Sequence, residues 1–454
     1  HRDRRDTRKA SPRQDRRIPL LSSEEYDTGC FRFRRPPRDA CNKSDLLIMH
    51  VLYFHQHFST PEGSAGTRSY EMAQALLRNG HSVTMVCGSY AQGNTGLTAP
   101  FSRGKRRGYV DGIDIIEFNL NYGNYMGFAQ RVAVFAKFAA GSIGIALREP
   151  ADVVFATTTP LTAGIPGIFA RSLGRKPFVF EVRDLWPELP KAMGVITNPI
   201  VLRLMSILEW ASYRSADRLI GLSPGIVEGI ASRGIDQSRI AIIPNGCDLD
   251  LFANRVDTWR PESVSDDQLL AIFTGTHGNA NGLHTVLDAA KVLRDRGRDD
   301  IRIALVGQGR EKTGLQERAR TENLSNVLFL EPVPKMRLAG LMAGADIGLQ
   351  ILRNVPAFYY GTSPNKFFDY IAAGLPVLNN YPGWLAEMIA DKNCGIAVPP
   401  EDPHAFADAL IEAADDREAL KQMASNAFNL AQTKFSRKEL SDQWVRWVTR
   451  VGHR

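Results

Sequence analysis

The order strand, glycine-bearing loop, helix, strand occurs twice in this chain, and no other feature limits its fold as strongly. The first copy reads LLIMHVLYF from Leu46, then PEGSAGT, RSYEMAQALLRNG and HSVTMVCG. The second reads LLAIFTG from Leu269, then THGNANG, LHTVLDAAKVLRDRG and IRIALVG. In the first helix Ala73, Leu76 and Leu77 have the three- and four-residue spacing of a packing face, and Asn79-Gly80 ends it. Further apolar runs alternate with helical stretches: DVVFA, PFVFEV, RLIGLS and IAIIPNG in the first half, NVLFL, ADIGLQI and LPVLNN in the second. A repeated βαβ opening predicts an α/β protein of two facing Rossmann-like domains, each a parallel sheet covered by helices. Its ligand is expected in the crevice between them, at the carboxyl ends of the strands.

The polar, strandless stretch DTWRPESVSDDQ sets the boundary between Phe252 and Gln268. The domains are therefore read as 45–255, on the acceptor side, and 256–435, on the donor side. A last helix, within 436–454, is expected to cross back to the first domain. Residues 1–44 carry 13 Lys and Arg against 7 Asp and Glu, so +6 of the formal net charge of +7 lies there and the body is nearly neutral. A nucleic-acid footprint is not indicated. That leading segment reads as a disordered basic extension, with a basic arm for anionic lipid as the alternative. The sequence has no uncharged apolar run of about 20 residues, so a cytoplasmic protein, at most peripheral to the inner face of the plasma membrane, is expected. The five cysteines are scattered without ligand spacing, and neither a disulfide framework nor a metal is expected.

The stretch TSPNKFFDYIAAGLPVLNN, from Thr362, carries the chemistry in the second half. Ser363 suits an N-cap, Pro364 the first helical position, and Gly374 with Pro376 the stop, giving a helix of about ten residues. Phe367, Phe368 and Ile371 face inward, while Lys366 and Asp369 share another face near the helix start. With Ser363 and Asn365 they form a candidate donor cradle: ammonium, free amides and helix end for a diphosphate, and Asp369 for ribose hydroxyls. An ordinary surface pair is the plain alternative.

Two glycine-bearing loops face each other in the expected fold. Gly63, Ser64, Ala65, Gly66 and Thr67 precede the first helix; Gly275, His277 and Asn281 lie in the equivalent loop of the second domain. Their amides can approach a phosphate. Neither loop is a GxGxxG or a P-loop, so a nicotinamide dehydrogenase or an NTPase is disfavoured. In FEVRDLWPELP, Glu181, Arg183, Asp184 and Glu188 crowd the end of a buried strand; they line a cleft, or they brace Trp186. Asp248 and Asp250 imitate a metal-binding DxD but follow Pro244-Asn245-Gly246 and read as a turn. Gly307 and Gly309 read as a strand end.

In this order GTRSYEMAQALLRNGHSVTMVCG, FEVRDLWPE, DRLIGLSPGIVEGI, IPNGCDLDLF and SPNKFFDYIAAGLPVL resemble the retaining glycosyltransferases of family 4, of GT-B fold. The resemblance is especially to the WbuB-like branch of bacterial surface polysaccharide assembly and covers about residues 46 to 450. The resemblance implies that the Gly63 to Thr67 loop approaches the donor diphosphate and that Val333 reads the nucleobase through its backbone. It implies a pair of glutamates eight apart, of which the second is here Asp369, on the ribose, and the first is Gly361. The family's usual Arg and Lys fall at Thr276 and Asn281, leaving Lys366 as the substitute cation, and its usual His falls at Arg183. The activity implied is metal-independent, cofactor-free transfer, with retention, from a nucleotide-sugar, expected to be UDP-linked, to a lipid-linked saccharide. Lys366, Arg183 and Asp184 are the expected catalytic residues, with Glu181, Arg183 and Asp184 on the acceptor side. Residues 125 to 147, apolar but for Arg131 and Lys137, suit a lipid carrier or a core helix. A nucleotide-sugar epimerase of the same fold and a noncatalytic sugar-nucleotide binder are the alternatives.

Overall fold

A computed structural model of the chain describes residues 48–63, 66–123, 126–253 and 257–452. The basic segment 1–44 and the loop residues Ser64 and Ala65 lie outside the described residues. Two sheets organise the remainder. The first has eight strands: β1 (His50–Phe54), β2 (Ser82–Tyr90), β3 (Lys105–Val110), β4 (Ile113–Tyr122), β5 (Val153–Thr157), β6 (Phe178–Val182), β7 (Arg218–Gly221) and β8 (Ile240–Ile242). Their spatial order is β3-β4-β2-β1-β5-β6-β7-β8. The second, with order β11-β10-β9-β12-β13-β14, contains β9 (Leu269–Thr274), β10 (Ile301–Val306), β11 (Val327–Leu330), β12 (Ile347–Gln350), β13 (Val377–Asn379) and β14 (Gly395–Ala397).

Every pairing is parallel except β3 with β4. That hairpin turns at Asp111-Gly112, both at positive φ (49° and 81°), the backbone a two-residue turn between twisted strands demands. Central strands such as β1, β5, β6 and β9 are buried along almost their whole length, which explains their unbroken apolar character.

The first domain's helices are α1 (Arg68–Arg78), α2 (Phe128–Arg148), α3 (Gly164–Ser172), α4 (Glu188–Ala192), α5 (Pro199–Ser215), α6 (Pro224–Ala231) and α7 (Leu249–Ala253). The crossover through α1 runs in one direction along the sheet, and those through α2, α3, α5 and α6 run in the other. Right-handed connections therefore put α1 on one face and the others on the opposite face. By length and composition α2 could cross a membrane. Here its inner stripe, Phe138, Ser142, Ile145 and Ala146, is built into the domain, with Phe138 edge-on to Phe118.

The second domain adds α8 (His284–Asp295), α9 (Lys312–Thr321), α10 (Lys335–Gly344), α11 (Asn365–Ala372), α12 (Trp384–Lys392), α13 (Pro403–Asp415) and α14 (Arg417–Lys434). The final helix, α15 (Arg437–Thr449), leaves this domain and lies on α1 and β5 of the first. Its Trp444 is fully buried, stacked on Tyr53 at 5.9 Å and edge-on to Phe155 at 4.7 Å. Trp447 donates its indole N–H to the Leu219 carbonyl at 3.1 Å. One apolar core consequently runs from the first sheet to the α11 and α14 side of the second, while α8 and α13 enclose a separate core on that sheet's other face. Trp444→Ala removes the largest side chain at the centre of this junction and should cost about 3–5 kcal/mol, measured as an earlier urea unfolding transition.

Candidate active site

The crevice is built around one buried ion pair. Arg68, the first residue of α1, places Nη2 2.8 Å from Oε2 of Glu181 on β6. Its other donors reach the carbonyls of Ile243 (2.9 Å) and Pro244 (2.8 Å) and, more weakly, Oδ1 of Asn245 (3.4 Å). Arg183 adds Nε to Glu181 Oε1 (3.2 Å) and to Thr157 (2.9 Å), and Nη2 to the Ser69 hydroxyl (2.8 Å). Thr157 also donates to Glu181, at 2.9 Å. Burial alone would raise the Glu181 pKa; the charges of Arg68 and Arg183, with these hydrogen bonds, overcome it and hold the group at about 2.

This arrangement corrects one expectation. Glu181 is fully buried with its oxygens occupied, so it has no face for an acceptor hydroxyl. Arg183 braces Glu181 and α1 through Nε and Nη2 while its side chain keeps 20% exposure. Asp184, the next residue, differs: half-buried at the end of β6, it accepts a hydrogen bond from Thr159 at 3.2 Å. Burial lifts its pKa above the ordinary aspartate value, against the pull of Thr159 and Arg183.

From Asn245 the network crosses to the second domain. Its backbone N–H donates to Ser363 Oγ at 3.1 Å and its amide to the Ser363 carbonyl at 2.6 Å. Ser363 is thus an interdomain strut and not a helix cap. The helix α11 begins at Asn365 behind Pro364, spans eight residues, and has no side chain capping its first amides. Thr67, before α1, likewise leaves the α1 amides without a side-chain cap. The two helix starts face each other: a Cβ on Gly66 would sit 3.5 Å from the Asn365 amide nitrogen.

Inward from Asn365, the Lys366 ammonium lies 3.0 Å from Asn281 Oδ1 and 4.1 Å above the Phe273 ring centroid. It stands at about 3.5 Å from a Cβ built on Gly275. Asn281 is held in turn by donating to the Thr276 carbonyl at 2.7 Å. The cation therefore occupies the ground of the Thr276 to Asn281 loop although neither residue carries charge. Tyr370, fully buried one helical turn on, accepts from the Thr274 N–H at 2.9 Å and fixes α11 against the end of β9. The Gly275 and Gly307 turns meet backbone to backbone, since a Cβ on Gly307 would fall 1.9 Å from the Gly275 carbonyl oxygen.

One donor-loop expectation changes. The His277 ring is wholly buried between Phe273 and Phe329, burial with the nearby Lys312 and Lys366 charges lowers its pKa to about 4, and its backbone N–H and carbonyl are taken by Gln308 and Glu311, so it has no group left for a ligand. At Gly361 a Cβ would lie 2.6 Å from the Ala357 carbonyl oxygen, so this backbone has no room for a glutamate there.

Asp369 is half-buried and has no hydrogen-bond or ion-pair partner among the described residues. Burial raises its pKa, opposed by Arg437 and Lys335. The loop bearing Val333, half-buried and packed on the core, leads into Lys335 and so borders Asp369. Asp248 is engaged by Lys335 (2.7 Å) and Arg437 (3.3 Å), as a turn residue tied to α10 and α15. Among the described residues no three His, Cys, Asp or Glu side chains converge as a metal site would need. The bridging role of Asn245 escaped the sequence, where Pro-Asn-Gly signals only a turn. Arg68 showed there only as the opening residue of a helix.

Two parallel-sheet domains with helix starts, a lysine and a lone carboxylate at the crevice define a GT-B glycosyltransferase architecture. The comparisons agree. Residues 63–246 match the glycosyl transferase 4-like domain and residues 256–430 the glycosyl transferases group 1. The two matches together cover most of the chain, which belongs with the GT-B glycosyltransferases. It is 28% identical over 407 residues to D-inositol 3-phosphate glycosyltransferase of Corynebacterium glutamicum, covering 86% of this chain and 92% of that protein. It is 21% identical to the putative colanic acid biosynthesis glycosyl transferase WcaI of Escherichia coli, over 72% and 82% of the two chains. Sucrose-phosphate synthase of Thermosynechococcus elongatus superposes with a TM-score of 0.71 at 17% identity, over 89% of this chain and 99% of that one. HepE of Anabaena in complex with UDP superposes at 0.61 with 16% identity, over 88% and 100%.

Two predictions follow from this geometry. Arg68→Met leaves Glu181 buried and short of its main partner and should cost about 3–5 kcal/mol, read as a lowered unfolding midpoint. Burial lowers the Lys366 pKa to about 7. A bound diphosphate stabilises the protonated form and raises that pKa, so affinity should be level below pH 7. Above pH 7 it should fall, by at most tenfold per pH unit. Calorimetry with a nucleotide-sugar at pH 8 in buffers of differing ionisation enthalpy should show proton uptake, lost in Lys366→Met.

Proposed function

We propose that the protein is a retaining glycosyltransferase that moves a sugar from a nucleotide diphosphate donor, UDP-linked, to a hydroxyl of a lipid-linked saccharide in cell-surface polysaccharide assembly. The observation that carries this reading is the convergence of two uncapped helix starts and the Lys366 ammonium on one crevice, with the unpartnered Asp369 carboxylate beside them. An ammonium with two sets of free amides suits a diphosphate, and a carboxylate without an internal partner suits paired ribose hydroxyls. Supporting the choice of UDP and of polysaccharide are the UDP bound by HepE and the colanic acid role in the name of WcaI. Residues 63 and 66–67, with Gly275, Asn281 and Asn365, are assigned to the diphosphate, Val333 to the base through its backbone. The WbuB-like branch is the expected home within the family.

In the reaction the bond from the anomeric carbon to the donor phosphate oxygen breaks, and a bond from that carbon to the acceptor oxygen forms on the same face. The acceptor proton passes to the departing phosphate, so no protein nucleophile, metal or cofactor is called for. Charge builds on the leaving diphosphate, where Lys366 and the helix amides stabilise it without rearranging. Asp184 orients the acceptor hydroxyl from the first domain. A lipid-linked acceptor makes this a cytoplasmic protein peripheral to the inner face of the plasma membrane.

A thermal-shift panel of UDP-, GDP- and TDP-sugars, followed by product analysis with a lipid-linked acceptor, tests the reading. A UDP-sugar should stabilise the protein and be turned over with retention. Lys366→Ala should lower kcat/KM by about 10²–10³-fold, and Asp369→Ala should chiefly weaken donor binding. Near-wild-type turnover in both variants, or conversion of the donor sugar without acceptor, would overturn it.

A further inference from the structure

Helix α5 is amphipathic the wrong way round for a surface helix. Its deeply buried residues are Glu209, Ser212 and Tyr213, whereas Ile200, Leu204, Ile207 and Trp210 are 69%, 62%, 53% and 54% exposed. At spacings of four, three and three these four form one outward apolar stripe. Helix α3 packs beside α5, and α2 beside α3, on the same face of the first sheet. Both continue the pattern, with Leu173, just past the end of α3, 68% exposed and Phe128 52% exposed. Among the described residues nothing covers this face, whereas α15 covers α1 on the other.

The charges on this face have one sign. Helices α2, α3 and α5 together contain a single carboxylate, Glu209, and it is buried against Arg233. Their exposed charged side chains include Lys137, Arg203 and Arg214, with Arg175 in the turn after α3; Arg214 lies over the Trp210 ring. An apolar stripe with a tryptophan, edged by arginines and with no exposed carboxylate on its own three helices, complements a surface with an apolar interior and anionic headgroups. A protein partner of ordinary composition would leave some of these arginines unmatched.

We propose that the α2–α3–α5 face, centred on the Ile200 to Trp210 stripe, docks the first domain onto an anionic phospholipid bilayer. This deepens the reading above and rests on it only for the lipid nature of the acceptor. The docking is measured without turnover, so either idea can fail alone.

Sedimentation of the full chain with vesicles tests it. The wild type should bind vesicles containing phosphatidylglycerol, weakly bind pure phosphatidylcholine, and be released by salt. The double variant Leu204→Glu and Ile207→Glu alters exposed positions only and should lose at least tenfold in partitioning with an unchanged melting temperature. Arg203→Ser and Arg214→Ser should each lower it about fivefold. Turnover on a water-soluble acceptor should be unaffected in all of them. No binding of anionic vesicles by the wild type, or unchanged binding by the double variant, would overturn the proposal. So would a concentration-dependent dimer that the double variant abolishes without any vesicle binding, since the face would then belong to a second copy.

Discussion

The Arg68–Glu181 pair is the constraint from which the rest of the crevice is set out. A carboxylate with no exposure is tolerable only if its charge and lone pairs are matched, and here one guanidinium, a second from Arg183 and the Thr157 hydroxyl match them. The planar fork of Arg68 has donors left over, and these reach the carbonyls of Ile243 and Pro244 beyond β8. A single side chain thereby fixes the start of α1, the end of β6 and the exit of β8 in one geometry. Asn245 carries that geometry to Ser363, directly ahead of α11. The helix start at Gly66 and the one at Asn365 confront each other because both hang from this network.

The second domain reaches a similar electrostatic result from an unusual distribution of charge. Thr276 and Asn281 supply no cation, yet the ammonium of Lys366 stands at their loop, held by Asn281 and by the Phe273 ring. An uncharged amide there aligns the lysine without competing for the anion, as a second cation would. Burial keeps the proton loosely held, so the site is less strongly cationic when empty than when an anion is present. The absent carboxylate at Gly361 has a steric cause: the Ala357 carbonyl fills the space of a side chain. Recovering it would require moving the segment before α11, which the Asn245–Ser363 bonds oppose.

Much of this was legible in the sequence wherever one residue's chemistry sufficed. The duplicated opening predicted both sheets, since unbroken apolar runs flanked by glycine loops have few other solutions. Lys366 and Asp369 could be singled out because a helix start near two polar residues is a local pattern. What stayed hidden depends on partners far along the chain. Glu181 and Asp184 look alike in FEVRDLWPE, and only the approach of Arg68, more than a hundred residues earlier, makes the first a buried strut. Ser363 has the local credentials of a cap, but a tertiary bond from Asn245 claims its hydroxyl. The β3–β4 hairpin is not part of the parallel pattern that the flanking runs follow, and its signal is local: Asp111-Gly112 between two strands.

The contacts between the domains are unevenly placed, and this bears on how the crevice could open. Gly225 donates to the Tyr360 carbonyl, Cys247 to that of Phe435, and Arg437 back to that of Cys247; Asp248 holds Lys335. These involve residues 225 to 248 of the first domain, on the α6 to α7 side of the crevice; Arg437 also reaches Glu71 on α1 at 3.7 Å, and α4 packs against residues 356–358. Across the mouth, a Cβ built on Gly66 would lie 3.5 Å from the Asn365 side-chain nitrogen, and among the described residues no hydrogen bond joins the two. A relative rotation of the domains would cost least where no hydrogen bond is broken, so in such a rotation the bonded side would be the hinge and the two helix starts would part first. The Arg68 network, lying within the first domain and ending at that side through Asn245, would keep its geometry.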